Sequence, residues 1–297
     1  MTEISIADGA PIAVIGAGAM GAGIAEVAIR HGHPCHLYDL NGDVLATGRA
    51  RIEKSLGRQV EKGKLAAEAR DAALARLTPC EDLTALAGAA LVIEAIVENL
   101  EIKRRLFAEL EEICGETCLL ASNTSSLSIS AVASGMAHPG RILGMHFFNP
   151  APVMKLVEVV RGLASERAAC DALEDLSRRW GKTPIQVKSS PGFVTNRTAR
   201  PFYGEAVQLL QEGAASAAEI DRLFRAQGFR MGPLELIDFV GQDISYAVTG
   251  SLFEAFKGEP RFRPTQLQRE ILDAGWLGRK SGRGFYDYSG PDPVPTR

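Results

Sequence analysis

Pro11-Ile12-Ala13-Val14-Ile15-Gly16-Ala17-Gly18-Ala19-Met20-Gly21 decides the fold. A short run with β-branched residues meets three glycines. From Ala19 to about Arg30, Ile24, Val27 and Ala28 then fall on one side of a helical pattern. The reading is strand, tight turn, helix. Cys35-His36-Leu37-Tyr38-Asp39 supplies a second strand, and parallel strands need a crossover helix between them, so the unit is βαβ.

A Gly-x-Gly-x-x-Gly string is weak evidence alone, because glycine is common. Here it follows a strand, opens a helix and has an acid, Asp39, at the end of the next strand. In that setting Gly16 allows the turn, Gly18 lets backbone approach a pyrophosphate, and Gly21 permits close helix–strand packing. The helix N-terminus offers unpaired N–H groups and partial positive charge, so phosphate needs no lysine. Gly16, Ala17, Gly18, Ala19, Met20 and Gly21 are the candidate cofactor-binding turn. Asp39 is placed to accept from an adenosine ribose, and Leu40-Asn41-Gly42 brings no arginine for a 2′-phosphate, so NAD is expected rather than NADP. The alternative is a glycine turn that merely packs, with Asp39 as a helix cap.

Outward from this unit, Asp43 to Arg76 is a polar, Ala-rich stretch broken at Gly63 and too long for a simple crossover. It reads as a helical hairpin inserted before the third strand. Further strands are expected at 91–95, 118–122, 142–148, 156–160 and 184–187, and helices at about 100–114, 128–134 and 167–180. Beyond the turn-rich Ser189-Ser190-Pro191-Gly192 strand signals almost vanish. The expected architecture is α/β: a Rossmann-like NAD-binding domain with an inserted helical hairpin over 1–190, then an all-α C-terminal domain over 191–297. In the latter, Ser216-Ala217-Ala218-Glu219 is a capping box and Gly232-Pro233 opens a helix. The Pro-rich end, Pro291 to Pro295, reads as a frayed tail.

At 297 residues two domains are the first expectation, and 46% apolar with 23% charged residues is the balance of an ordinary globular protein. A net charge of −3 argues against nucleic acid. No membrane-length apolar run, signal peptide or Arg-rich transit pattern is seen, so a soluble protein is expected. The five cysteines form no CxxC pair, which suits a reducing cytoplasm.

An enzyme that oxidises an alcohol with a nicotinamide needs a base for the hydroxyl proton, and histidine titrates nearest neutrality. Of five histidines, His31, His33 and His36 cluster in the turn before the second strand, away from the ends where such sheets bind ligands. They read as solvated, and with no carboxylate or paired cysteine to complete a ligand set no metal site is expected. His138 lies in a loop. His146 differs: in Met145-His146-Phe147-Phe148-Asn149-Pro150 its ring sits in an apolar strand and needs a partner. If the flanking strands fold back about Pro152, His146 falls opposite Glu158, itself an odd carboxylate amid Leu156-Val157 and Val159-Val160. Such a pair satisfies both groups and stabilises an imidazolium formed in turnover, although a purely structural ion pair has the same signature. Ser122-Asn123-Thr124-Ser125-Ser126 puts hydroxyls at a strand end, and Asn196 follows the domain junction. On the hairpin, Arg51, Lys54, Arg58 and Lys62 form one helical stripe, either a solvated face or a phosphate site.

Through GAGAMGAGIA, VIEAIVEN, SNTSSLSI, HFFNP, KLVEVV, PGFVTNR, MGPLELID and GRKSGRGFY the chain resembles the L-3-hydroxyacyl-CoA dehydrogenase family along nearly its whole length. The resemblance implies NAD-dependent, reversible oxidation of an L-3-hydroxyacyl-CoA. It implies His146 as base, Glu158 as its orienting acid, and Ser125 and Asn196 as polar residues around the reacting oxygen. It also implies cofactor contacts from Glu98, Lys103, Ser125, Asn149 and Lys280, CoA contacts from Ser55, Lys62 and Ser125, and a homodimer. Gly228-Phe229-Arg230-Met231-Gly232-Pro233 and Leu277-Gly278-Arg279-Lys280 look like enzymes of bacterial aromatic-acid degradation that act on 3-hydroxyadipyl-CoA, while 3-hydroxybutyryl-CoA, as in fatty acid metabolism, suits the same catalytic residues. A short-chain dehydrogenase is disfavoured because no tyrosine has a lysine four residues on. A non-catalytic NAD-binding structural protein, like the crystallins recruited from this family, is the alternative from another class.

Overall fold

A computed structural model describes residues 4–296. The chain separates into two compact units, Met1–Ser190 and Pro191–Arg297.

The first unit is built on an eight-stranded sheet. Its elements in chain order are β1 (Ile12–Ile15), α1 (Ala19–Arg30), β2 (Cys35–Tyr38), α2 (Gly42–Glu61), α3 (Ala67–Leu74), β3 (Leu77–Cys80), β4 (Leu91–Glu94), α4 (Leu100–Ile113), β5 (Leu119–Ser122), α5 (Ile129–Val132), β6 (Ile142–Phe147), β7 (Leu156–Arg161), α6 (Arg167–Arg179) and β8 (Thr183–Lys188). The spatial order is β3-β2-β1-β4-β5-β6-β7-β8. Every neighbouring pair is parallel except β6 and β7, which form an antiparallel hairpin. Order reverses at β1, between β2 and β4, and such a switch point opens a crevice at the carboxyl ends of the strands. Buried apolar residues of β1, β2, β4, α1 and α6 make the core, including Ile12, Ile24, Leu37, Ile93 and Leu173.

The helical hairpin is α2 and α3, broken at Gly63 with φ +64°. The strand that follows it, β3, was not expected. Leu77-Thr78-Pro79-Cys80 carries a proline, which a central strand would not tolerate, but β3 is the sheet edge, where a missing N–H costs no ladder bond. His33 also corrects the sequence reading. It is buried, with Nδ1 2.9 Å from the Ala10 carbonyl and its ring edge-on to Trp180.

The second unit comprises α7 (Thr195–Gln211), α8 (Ala217–Ala226), α9 (Pro233–Val240), α10 (Gln242–Ala255), α11 (Gln266–Asp273) and a two-stranded pair, β9 (Tyr286–Asp287) with β10 (Val294–Pro295). Ser216 caps α8 in a complete capping box and Pro233 occupies the first turn of α9. The Pro-rich segment expected to fray instead pairs with β9, and the Thr296 hydroxyl donates to the carbonyls of Gly284 and Phe285. Two buried aspartates organise this unit. Asp221 accepts from the N–H groups of Leu234 and Glu235 and from Tyr286, and Asp238 accepts from the N–H groups of Phe285 and Tyr286 and from Gln242.

Candidate active site

The glycine turn joins β1 to α1, and its three glycines are there for different reasons. Gly16 has φ +96°, and a Cβ on it would lie 2.6 Å from the Ala95 carbonyl oxygen. A Cβ on Gly21 would overlap the Gly16 carbonyl oxygen at 1.6 Å. A Cβ on Gly18 would meet nothing of the protein within 4 Å. Gly18 is exposed, so its backbone at the α1 N-terminus is open to approach from outside the chain, as pyrophosphate binding there requires.

Asp39, just past β2, accepts from Ala17 N–H at 2.8 Å and from Asn41 N–H at 3.2 Å. It ties β2 to the turn, and each carboxylate oxygen keeps a second lone pair for a ribose hydroxyl. Beside it a cavity of about 310 Å³ has apolar walls from Leu40, Leu83, Ile96, Ile102 and Leu106, which suits a flat heterocycle. The residues present thus fit a dinucleotide. Sequence reasoning missed these walls, although Ile102 and Leu106 on one face of α4 were the available signal.

At the carboxyl end of β4, Glu94 is fully buried and accepts from Lys103 Nζ at 2.5 Å, Ile96 N–H at 2.7 Å and the Ser122 hydroxyl at 2.7 Å. Lys103 also lies 3.4 Å from Glu98, whose other oxygen takes Thr124 Oγ1 at 2.5 Å, Ser126 Oγ at 2.9 Å and Ser125 N–H at 3.2 Å. Burial pushes Glu98 up, but the hydrogen bonds from Thr124 and Ser126 and the Lys103 charge outweigh it, leaving the carboxyl below its ordinary value. Glu98, Lys103 and Ser125 are thereby brought together with Ser122 and Thr124 of the expected hydroxyl segment, and with Glu94, which the sequence reading does not single out.

On the hairpin, the register sets His146 opposite Glu158, and His146 Nδ1 lies 2.8 Å from Glu158 Oε2 with both side chains buried. The Phe148 ring leans on the imidazole at 4.5 Å between centroids. Asn123 Oδ1 accepts from Phe147 N–H at 2.8 Å, so the end of β5 is stitched to the residue after His146.

Between α1, α2 and the loop after β6 lies a cavity of about 610 Å³. Ser55, Lys62 and Asn149 line it with Arg51, Lys54 and Arg58, so the charged stripe, exposed as it is, borders a concave site. Gly23 allows the loop at Ala151 and Pro152 to lie close on α1, and Lys182 holds that loop by donating to the carbonyls of Ala151 and Met154. Beneath it Glu26 is buried and accepts from Gln59 at 3.0 Å. Burial pushes its carboxyl up despite Ser55, Arg30, Gln59 and Lys182.

Asn196 and Lys280 belong to the second unit. Asn196 is the second residue of α7, half-buried. Lys280 donates to both oxygens of Asp243 at 2.6 and 2.7 Å, a partner the sequence reading did not name. Among the described residues no helix is long and apolar enough to cross a membrane.

Comparison with known proteins places these features in a family. Residues 11–190 match the model described as 3-hydroxyacyl-CoA dehydrogenase, NAD binding domain, and residues 192–288 match 3-hydroxyacyl-CoA dehydrogenase, C-terminal domain. A protein of Escherichia coli (strain K12) named 3-hydroxyadipyl-CoA dehydrogenase is 51% identical over 278 residues, which cover 93% of this chain and 58% of that one. A Bacillus subtilis (strain 168) protein named probable 3-hydroxybutyryl-CoA dehydrogenase is 43% identical over 279 residues, covering 93% and 96%. The crystal structure of 3-hydroxybutyryl-CoA dehydrogenase from Escherichia coli K12 substr. MG1655 superposes with a TM-score of 0.94 at 49% identity, over 96% of this chain and 61% of that one. The chain thus spans somewhat under two thirds of the Escherichia coli proteins and nearly all of the Bacillus protein.

Proposed function

The chain belongs to the 3-hydroxyacyl-CoA dehydrogenase family, NAD-dependent oxidoreductases, and from that premise we propose that it interconverts an L-3-hydroxyacyl-CoA and the 3-oxoacyl-CoA with His146 as general base. The observation that carries this reading is the buried 2.8 Å contact between His146 Nδ1 and Glu158. With the Nδ1 proton directed at the carboxylate, Nε2 presents a lone pair that takes the C3 hydroxyl proton. Glu158 orients the ring and offsets its positive charge while the proton is held. NAD, when bound, supplies the hydride acceptor. Ser125 and Asn196 hydrogen-bond the reacting oxygen, and the same Nε2 returns the proton in the reverse direction.

Cofactor contacts are assigned to Gly16 through Gly21, Asp39, Glu98, Lys103, Ser125, Asn149 and Lys280. Ser55 and Lys62, with the basic stripe around them, are assigned to the phosphates of coenzyme A; the concave basic cavity supports this. The relatives are named for butyryl and adipyl substrates, and both acyl groups are carried forward as candidates. We place the protein in the cytoplasm as a homodimer formed through the second unit, where Leu223, Phe229, Phe239 and Ile244 are at least half exposed.

The direct test is oxidation of NADH by acetoacetyl-CoA. Turnover is expected. A folded protein that binds NADH and leaves acetoacetyl-CoA untouched would end the enzyme reading.

A further inference from the structure

The cavity between α1, α2 and the loop after β6 has one acid in its wall among the described residues. That acid is Glu26; the other charged residues lining it, Arg30, Arg51, Lys54, Arg58, Lys62 and Lys64, are all basic. Glu26 is 2% exposed, whereas Arg51, Lys54, Arg58 and Lys62 are exposed. Two other buried carboxylates of this unit are in contact with a basic side chain, Glu94 with Lys103 and Glu158 with His146. No cation lies within ion-pair distance of Glu26 among the described residues. Its Oε1 accepts from Gln59 Nε2 at 3.0 Å, Ser55 donates to it from one turn earlier on α2, and Arg30 and Lys182 act on it at longer range. Two neutral donors thus attend a carboxylate that water barely reaches, and burial holds it above its ordinary value.

On the proposed function, on which this inference rests, the cavity takes the phosphates of coenzyme A. Seating them displaces cavity water and brings several negative charges toward Glu26. Both changes act against the carboxylate and neither acts against the neutral acid. The basic stripe attracts the phosphates, and an ionised Glu26 subtracts from that attraction. A neutral Glu26 is still satisfied, because the Gln59 amide can turn its oxygen to accept the acid proton.

We propose that Glu26 takes up a proton when coenzyme A enters this cavity, and so sets how tightly the acyl carrier is held as pH changes. The proton comes from solvent and returns to it when the ligand leaves. At low pH Glu26 is neutral with or without ligand, and affinity is highest. As pH rises past the point where free Glu26 ionises, each binding event must take up a proton and affinity falls. It levels off once Glu26 is ionised in the complex as well.

The test is calorimetric titration of coenzyme A into the wild type, Glu26→Gln and Lys62→Met between about pH 5 and about pH 8.5, in buffers of different ionisation enthalpy. Glu26→Gln keeps an oxygen for Ser55 and Gln59 but cannot ionise. It should match the wild type at the acid end and bind about tenfold tighter at the alkaline end, the scale of one like charge on the order of 10 Å away at intermediate dielectric. The 3′-phosphate of the ligand titrates at about pH 6 against both proteins alike, so the difference in proton uptake belongs to Glu26. Equal pH profiles with equal proton uptake overturn the proposal. So does Glu26→Gln that binds more weakly at every pH, since a carboxylate that only holds Ser55 in place would act that way. Lys62→Met should weaken binding throughout. If it leaves coenzyme A affinity unchanged, the cavity is not the coenzyme A site and the proposal falls with that assignment; if it weakens binding while Glu26→Gln tracks the wild type, the proposal alone falls. Should Glu26→Gln not fold, dephospho-coenzyme A titrated into the wild type reads the same proton, because its diphosphate stays ionised across this range, and binding without uptake overturns the proposal.

Discussion

Lys103 Nζ donates to Glu94 Oε1 at 2.5 Å, with both side chains closed off from solvent, one on α4 and the other at the end of β4. The pair locks the helix after the crevice to the strand before it. Breaking it from one side strands the other charge. Lys103→Met should cost about 3–5 kcal/mol of stability. Glu94→Gln combined with Lys103→Met should recover much of the loss, because no uncompensated charge is left behind. Denaturant unfolding of the two single variants and the double variant measures the coupling, and additive losses would show that the pair does not act as a unit.

His146→Gln should retain NADH affinity and lose about 10²–10⁴ in turnover, the usual effect of removing a general base. Glu158→Gln should lose less, because the ring survives without its orienting charge. Adding Glu158→Gln to His146→Gln should cost almost nothing further, since residues that act through one another are not additive. Steady-state rates with acetoacetyl-CoA, alongside NADH binding, check all three. Near-normal turnover of His146→Gln would remove it as the base.

Gly18→Ala and Gly21→Ala should fail differently. The new Cβ of Gly21→Ala would sit 1.6 Å from the Gly16 carbonyl oxygen, so the turn must deform and stability should fall by about 1–3 kcal/mol or more. That of Gly18→Ala meets no protein atom, so the fold should be unaffected while NADH binding weakens. Thermal unfolding and NADH titration separate the two, and unchanged NADH affinity in Gly18→Ala would mean the open space is not used by the dinucleotide.

Glu26 gives a pH signature. Burial pushes its carboxyl above the ordinary 4.5, against Ser55 and Gln59 hydrogen bonds and the charges of Arg30 and Lys182. The folded state then holds this proton more tightly than the unfolded chain, so the contribution to stability falls as pH rises from 4.5 through the folded value. Glu26→Gln should gain on the wild type across that interval, and the gain should level off once Glu26 is ionised. Urea unfolding between about pH 4 and pH 8 reads it. A difference independent of pH would clear Glu26 as its source.

Much of the site is legible in the chain because short-range rules govern it. The βαβ unit follows from periodicity and glycine placement. The contact between His146 and Glu158 follows from two misplaced polar residues equidistant from Pro152. Glu94 carries a like signal, an acid ending an apolar strand, and was passed over for want of a symmetric partner. The strand at Leu77–Cys80 was hidden by Pro79, and β10 by its prolines, because tolerance of proline depends on whether a strand lies at an edge.

The amino-acid order by itself determined the cofactor turn, the hairpin pair and the family, since each rests on residues whose spacing alone dictates their neighbours. Only the tertiary structure decided which charges are buried. Arg200 looks like any helical arginine until α10 covers it, whereas the stripe from Arg51 to Lys62 stays exposed and only borders a cavity that α1 and the loop after β6 complete. Burial is a property of elements distant in sequence, and desolvation is what turns an ordinary cation into one that needs a partner.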